Sequence, residues 1–164
     1  MWKVKNSKIH GAGVFALKDI PKNIKIIQYV GEKLSKSEGD KRSAKRLSKY
    51  LHSQTDGSVY IFELNSNYDI DGSPKYNKAR YINHSCDPNC EVEIMNNEIW
   101  ISSIKKIKKG EELSYDYGFE FDKDDFKDHI CKCGSKNCIG FIISSDDWGK
   151  YLKYLTKIVK KRNS

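Results

Sequence analysis

The sequence predicts a mainly β fold of α+β type, with several short sheets, a short inserted helix and a C-terminal helix. Three observations carry this. Apolar and β-branched runs are short and bounded by Gly, Pro or Asn, the pattern of strands and their turns. Helix signals are confined to two stretches, one opening near Ser35 and one near Ser144. No apolar run approaches the length a membrane helix needs.

Residues 1–32 read as short strands joined by turns. Val14-Phe15-Ala16 follows the turn Gly11-Ala12-Gly13, and residues 24–30 are β-branched between Pro21 and Gly31. Residues 33–57 change character, with Lys33, Lys36, Lys41, Arg42, Lys45, Arg46 and Lys49 in a short span. Ser35 followed by Glu38 has the form of a capping box and opens the inserted helix. Residues 60–64 and 68–71 read as two strands around Asn65-Ser66-Asn67. Residues 91–94 and 99–104 form a hairpin across Asn96-Asn97. The acidic stretch 120–128 reads as a loop. Ser144 and Asp147 are candidate caps for the last helix. Trp148, Tyr151, Leu152, Leu155 and Val159 recur at helical spacing, so this face is expected to pack on the domain. Lys160-Lys161-Arg162 suits its C-terminal turn.

At 164 residues the chain fits one domain with its own core. Its net charge of +8 suits contact with nucleic acid, nucleosomal DNA included. The same charge also describes a Lys-rich solvated surface. The N-terminal Met1-Trp2-Lys3-Val4-Lys5-Asn6 has charge but no apolar core, so no Sec signal is expected. With five clustered cysteines, this favours reduced thiols in a cytosolic or nuclear setting. Delivery into another cell is also compatible with these features. A monomer is expected.

Three segments carry chemistry. Cys131, Cys133 and Cys138 have the spacing C-x-C-x4-C, which offers three thiolates in one loop. Structural zinc takes four ligands, so the fourth would be Cys86 or Cys90. Arg80-Tyr81-Ile82-Asn83-His84-Ser85-Cys86-Asp87-Pro88-Asn89 holds the polar pair Asn83-His84 beside a cysteine. Gly110-Glu111-Glu112-Leu113-Ser114-Tyr115-Asp116-Tyr117 sets two tyrosines two apart, on one side of an extended strand. Taken singly, each has a plain structural reading: a turn at Gly11-Ala12-Gly13, a satisfied polar pair at Asn83-His84, two core aromatics at Tyr115 and Tyr117.

Together and in this order, over roughly residues 7–143, these parts resemble the SET-domain protein-lysine methyltransferases with a cysteine-rich post-SET tail. The resemblance implies a β-clip of short sheets with a pseudo-knot. It divides the chain into a SET domain at 1–119 with a variable insert at about 33–57, a zinc-binding post-SET segment at 120–143, and a C-terminal helix at 144–164. It implies S-adenosylmethionine as methyl donor, held by His10, Gly11, Ala12, Gly13, Tyr60, Arg80, Asn83, His84 and Tyr117. Asn83 and His84 would take its adenine and amino-acid portions, and Arg80 would orient their segment. Tyr117 would be the catalytic tyrosine, with Tyr115 and Tyr29 beside it. Tyr29, Tyr60, Phe62 and Tyr115 would line the lysine channel, and Tyr115 falls where the family carries Phe or Tyr. The resemblance selects Cys86 over Cys90 to complete a zinc site with Cys131, Cys133 and Cys138. Departures are Tyr76-Asn77, where Gly-Asn is commoner, and Gln28 before Tyr29, where Glu is usual.

Such an enzyme displaces a methyl in line from a sulfonium with a neutral amine. Free lysine has a pKa near 10.4, and an apolar aromatic channel beside a sulfonium favours its neutral form. Water or a tyrosinate-like group can then carry the proton away. In-line binding supplies proximity, worth roughly 7–11 kcal/mol in favourable cases. The expected substrate is a lysine of a basic protein, a histone tail first, with a non-histone protein such as a ribosomal protein as alternative. The rival from another class is an inactive zinc-stabilised module that binds chromatin or nucleic acid. With about six residues ahead of the resemblance and no cysteine-rich segment there, substrate choice is expected to rest on the insert, the acidic loop and the tail.

Overall fold

A computed structural model describes residues 1–53 and 60–162; the last residues of the expected insert, 54–57, and the terminal Asn163 and Ser164 lie outside the described residues. The elements are β1 (Trp2–Asn6), β2 (Ala12–Ala16), β3 (Lys25–Tyr29), β4 (Glu32–Ser35), α1 (Lys36–Ser53), β5 (Ile61–Glu63), β6 (Tyr68–Asp71), β7 (Asn83–His84), β8 (Cys90–Met95), β9 (Glu98–Ser103), β10 (Ser114–Tyr115) and α2 (Trp148–Arg162). They form four small sheets: β1-β2, β3-β9-β8, β4-β6-β5, and the pair β7-β10. The last is parallel, with Asn83 opposite Ser114 and His84 opposite Tyr115. The others are antiparallel. No described helix is long and apolar enough to cross a membrane.

Local chemistry explains the turns. Met95 pairs with Glu98, which leaves Asn96 and Asn97 as a two-residue loop at φ 53° and 59°. Asn tolerates this left-handed region, and such a turn matches the twist of the flanking strands. In β9, Ile99 and Ile101 point inward and are essentially unexposed, with Trp100 between them half-buried. They join Val14, Ile20, Ile82, Ile107 and Leu113 in the main core.

Helix α1 runs 18 residues, longer than the short helix the cap signal suggested. Ser35 Oγ accepts the Glu38 N–H at 3.4 Å. The Glu38 carboxylate turns forward to Arg42 Nε at 3.1 Å instead of back to Ser35, so the capping box is half made. Ion pairs hold the helix to its sheet. Arg42 and Arg46 both reach the buried Asp71 at the end of β6, at 3.0 and 2.8 Å. Lys36 reaches the buried Asp69 at 2.8 Å.

A second core lies beneath α2. Phe126, Ile143 and Tyr151 are buried there against Phe121, Phe141, Trp148 and Tyr154. The helix therefore clamps residues 120–143 with its Tyr151 and Tyr154 side. Leu152, Leu155 and Val159 stay exposed, which corrects the expectation that they share the packed face. The two stripes adjoin on the helix surface, and the larger aromatic payload takes the buried one. The expected caps also serve otherwise. Asp147 Oδ2 accepts the Phe121 N–H at 2.9 Å and Oδ1 pairs with Lys150. Ser144 makes no side-chain cap bond to the turn that follows it.

Candidate active site and metal centre

Strands β3, β5 and β10 converge on a line of aromatic rings. Tyr29, at the end of β3, meets Phe62 of β5 at 4.6 Å between centroids; Phe62 meets Tyr115 at 5.9 Å, and Tyr115 meets Tyr117 at 5.0 Å. Tyr117 lies just past the two-residue β10 rather than within it. Phe119 and His129 continue the row at 5.9 and 5.2 Å. Tyr29 has room because residue 72 is glycine: a Cβ there would run into the Tyr29 ring. Its hydroxyl donates to Tyr60 O at 3.0 Å, and Tyr117 donates to Ile82 O at 3.0 Å. No hydrogen bond among the described residues engages the Tyr115 hydroxyl. Burial pushes the Tyr29 and Tyr115 phenols well above their ordinary pKa, so both stay neutral at physiological pH. Neither is therefore available as a tyrosinate. A neutral aromatic wall of this kind disfavours an ammonium and suits an amine.

The Arg80 guanidinium lies 4.1 Å over the Tyr60 ring and 5.3 Å from Tyr81, and it donates to the Ser73 carbonyl. It therefore fixes the loop ahead of β7 and the position of Tyr60.

Beside the rings, the turn before β2 meets β7. The Asn83 carboxamide donates to His10 O at 3.3 Å, Ala12 O at 3.1 Å and Glu112 Oε1 at 2.7 Å. The side chain is buried, yet its Oδ1 takes no bond among the described residues, so it keeps an acceptor for a bound molecule. Glu112 also accepts from Ser7 Oγ at 2.8 and 2.9 Å. Gly11 stands open at φ 46°, whereas a Cβ on Gly13 would collide with the Glu112 carboxylate. The second glycine thus makes room for a side chain that sequence reasoning quoted without giving it a role. His10 contributes its backbone carbonyl, and its side chain is exposed.

His84 behaves differently from its neighbour. Its buried ring accepts the Tyr117 N–H at Nδ1, 3.2 Å away, and Nε2 faces Cys86 Sγ at 3.7 Å. Burial lowers its pKa, against the pull of Asp116. Both nitrogens are engaged by protein, so any contact with a bound molecule falls to its backbone.

The sulfurs of Cys86, Cys131, Cys133 and Cys138 all lie within 4.8 Å of one another. Cys86 Sγ is 3.8 Å from both Cys131 Sγ and Cys138 Sγ. Zinc bonded to sulfur at about 2.3 Å in a tetrahedron sets its sulfurs roughly 3.8 Å apart, so the group fits a zinc ion. The cluster also carries N–H donors for thiolates, from Cys133 N to Cys131 at 3.5 Å and from Gly140 N to Cys138 at 3.4 Å. Burial lifts the Cys86 thiol to about 11. Burial also acts upward on Cys133, but the Ser135 hydroxyl and neighbouring groups outweigh it and bring that thiol to about 6. A metal entering the cluster displaces the remaining protons. Four thiolates close the site, so a bound zinc supplies structure here and keeps no open position for substrate. Cys90 is buried elsewhere, with its thiol 3.4 Å from Asn89 Oδ1.

The tail is tied back at Asp116, whose Oδ1 accepts Gly118 N–H at 3.0 Å and Oδ2 accepts Ser145 N–H at 2.8 Å. Glu120, Asp122, Asp124, Asp125 and Asp128 are exposed on the segment between Tyr117 and the cysteine loop.

The family model described as SET domain matches residues 11–118, and the chain belongs to the SET-domain family. Curated relatives agree. The Saccharomyces cerevisiae histone-lysine N-methyltransferase, H3 lysine-4 specific, is 39% identical over 140 residues, which cover 83% of this chain and 12% of the relative. Histone-lysine N-methyltransferase 2D of Homo sapiens is 37% identical over 136 residues, 80% of this chain and 2% of the relative. Histone-lysine N-methyltransferase trithorax of Drosophila virilis is 38% identical over 136 residues, 80% of this chain and 3% of the relative. The chain therefore spans a small part of the length of these relatives. SET methyltransferases use S-adenosylmethionine as methyl donor.

Proposed function

We propose that this chain is an S-adenosylmethionine-dependent protein-lysine N-methyltransferase, acting on a lysine of a basic protein and on histone first. The observation that carries this is the meeting of the neutral aromatic row with the polar contacts around Asn83, through Tyr117. Tyr29, Phe62 and Tyr115 receive the lysine stem and hold its amine uncharged. Tyr117 stands where the methyl passes, with Ile82 O orienting its hydroxyl. His10 and Ala12, with Gly11 and Gly13, Tyr60 and the Asn83 Oδ1 form the donor's cradle, and Arg80 keeps Tyr60 in place. Zinc on Cys86, Cys131, Cys133 and Cys138 folds residues 120–143 over the channel mouth.

The relatives named for H3 lysine 4 make histone H3 the first substrate to try. The exposed carboxylates at 120–128 form a lip that attracts a Lys- and Arg-rich tail. The exposed lysines Lys18, Lys22, Lys108 and Lys109, beside the bridge between Ile20 and Ile107, supply a surface for the DNA that accompanies such a substrate. A nuclear site of action follows from that substrate. The test is methyl transfer from labelled S-adenosylmethionine to separated core histones, with mass spectrometry to place the label. Label on lysine supports the reading. Tight binding of histone or DNA with no transfer under any donor or zinc condition would make the chain a silent binding module instead.

A further inference from the structure

We infer that His84 is a positioning residue that couples the zinc site to Tyr117, through one ring nitrogen on each. The tautomer follows from the donors. The Tyr117 backbone N–H can only donate, so Nδ1, 3.2 Å from it, must accept. The ring's proton therefore sits on Nε2, which faces Cys86 Sγ at 3.7 Å. A cysteine that ligates zinc is a thiolate and can only accept, so the two ends of the imidazole agree. Asp116 Oδ1 stands 3.8 Å from Nδ1, too far for a hydrogen bond, and is taken by the Gly118 N–H at 3.0 Å. The ring is 3% exposed in its side chain and packs edge-on to the Tyr117 ring at 5.4 Å between centroids. It has no third direction in which to act.

The consequence is mechanical. Zinc fixes Cys86, the Cys86 thiolate fixes the rotation of the His84 ring, and the ring fixes the Tyr117 backbone. The same N–H draws charge from the thiolate and strengthens the cysteine's hold on its position. Partners of this kind, one bond out from the metal, typically change metal affinity 10–100-fold when removed. Loss of zinc should then misplace Tyr117 while the Asn83 cradle, which the cysteines do not touch, keeps its form.

Two substitutions separate the two ends. The amide of His84→Asn reaches about as far as Nδ1 and keeps an acceptor for Tyr117, but it presents no N–H to Cys86. The amide of His84→Gln reaches about as far as Nε2 and keeps that N–H, but it loses the acceptor. Zinc affinity is measured by competition with a chromophoric chelator, and the donor's Kd is measured by calorimetry. We expect His84→Asn to lower zinc affinity 10–100-fold. His84→Gln should hold zinc within about threefold of the unmutated protein, with kcat lowered at least about tenfold and the donor's Kd unchanged. Nitrogen-15 histidine spectra of the unmutated zinc protein decide the point even if a variant fails to fold. A neutral ring protonated on Nε2 supports the inference; a ring protonated on Nδ1 overturns it. Equal zinc affinity in all three proteins also overturns it, as does a shared loss of donor affinity, which would make the imidazole a cofactor contact. Only the kcat arm rests on the methyltransferase reading. The zinc and nitrogen-15 arms stand whether or not the chain transfers methyl groups.

Discussion

Asn83 and Glu112 meet at 2.7 Å, amide to carboxylate, although 29 residues separate them. Glu112 also holds Ser7, so one carboxylate ties the start of the chain to β7. Glu112→Ala should let the turn at 7–12 drift from Asn83. Donor affinity should fall about tenfold, or about 1.4 kcal/mol, while Glu112→Gln, which keeps one acceptor, should lose less. Calorimetric titration with S-adenosylmethionine checks this, and an unchanged Kd in Glu112→Ala would show that the Asn83 cradle stands without it.

Zinc should be present at about one per chain, since four ligands close a structural site. Cys86→Ser should release it and weaken activity. Cys90→Ser should do neither, because Cys90 lies apart from the cluster. The metal must displace the proton from a Cys86 thiol lifted to about 11, so zinc affinity should rise with pH and fall on acidification. Metal analysis after dialysis across pH 5–8 reads this directly. Zinc retained by Cys86→Ser and lost from Cys90→Ser would assign the fourth ligand the other way.

The Tyr115 side chain is buried beside the ring that is to catalyse, and no hydrogen bond among the described residues engages its hydroxyl. Such a group can hold the amine or a channel water. A methyl placed there makes no hydrogen bond, and displacing a held water without replacing its bonds loses affinity. The product should therefore be mainly monomethyl-lysine, with some dimethyl on a favourable substrate. Tyr115→Phe should raise the methyl count on the same lysine. Intact-mass analysis of a peptide at long incubation shows the outcome, and abundant trimethyl-lysine from the unmutated enzyme would remove this role from Tyr115.

Asp71 anchors α1. Burial acts to raise its pKa, but hydrogen bonds from Arg46, Ser73 and Arg42 outweigh this and bring it to about 2. A depressed carboxylate contributes stability above its unfolded pKa, near 3.9, and loses it as pH falls through the folded value. The unmutated protein should thus lose stability between about pH 4 and pH 2. Asp71→Asn should be less stable at pH 7 by about 1–3 kcal/mol and lack that acid-dependent step. The arginines are partly exposed, which keeps the figure modest. Denaturant melts at pH 7 and pH 3 test both statements, and equal pH slopes in the two proteins would refute the anchor.

Much of the fold could be read from local chemistry. The Asn96-Asn97 turn was legible because two residues that tolerate positive φ sat between alternating strands. The strands at 60–64 and 68–71 were legible from their β-branched and aromatic runs. The aromatic row was legible only through the order of family motifs: Tyr29, Phe62 and Tyr115 come from three strands in three different sheets, and no periodicity links them. The packed side of α2 was not legible, since two apolar stripes adjoin and only tertiary contact with Phe121 and Phe126 selects the tyrosines. Glu112 and the ring of His84 escaped for a similar reason. A polar side chain's type shows what it can bond, and only the folded chain shows which partner stands there.

Transfer of labelled methyl from S-adenosylmethionine to core histones, run side by side on the unmutated, zinc-loaded protein and on Tyr117→Phe, tests the proposed activity most directly. The substitution keeps the ring in its row and removes the hydroxyl that Ile82 O orients, a hydrogen bond worth about 0.5–1.5 kcal/mol to the fold. The unmutated protein should place label on lysine, and Tyr117→Phe should place at least about a hundredfold less, with the donor's Kd and the melting midpoint nearly unchanged. Equal transfer by the two proteins would contradict the role given to Tyr117, and no transfer by either, with donor bound, would contradict the enzyme.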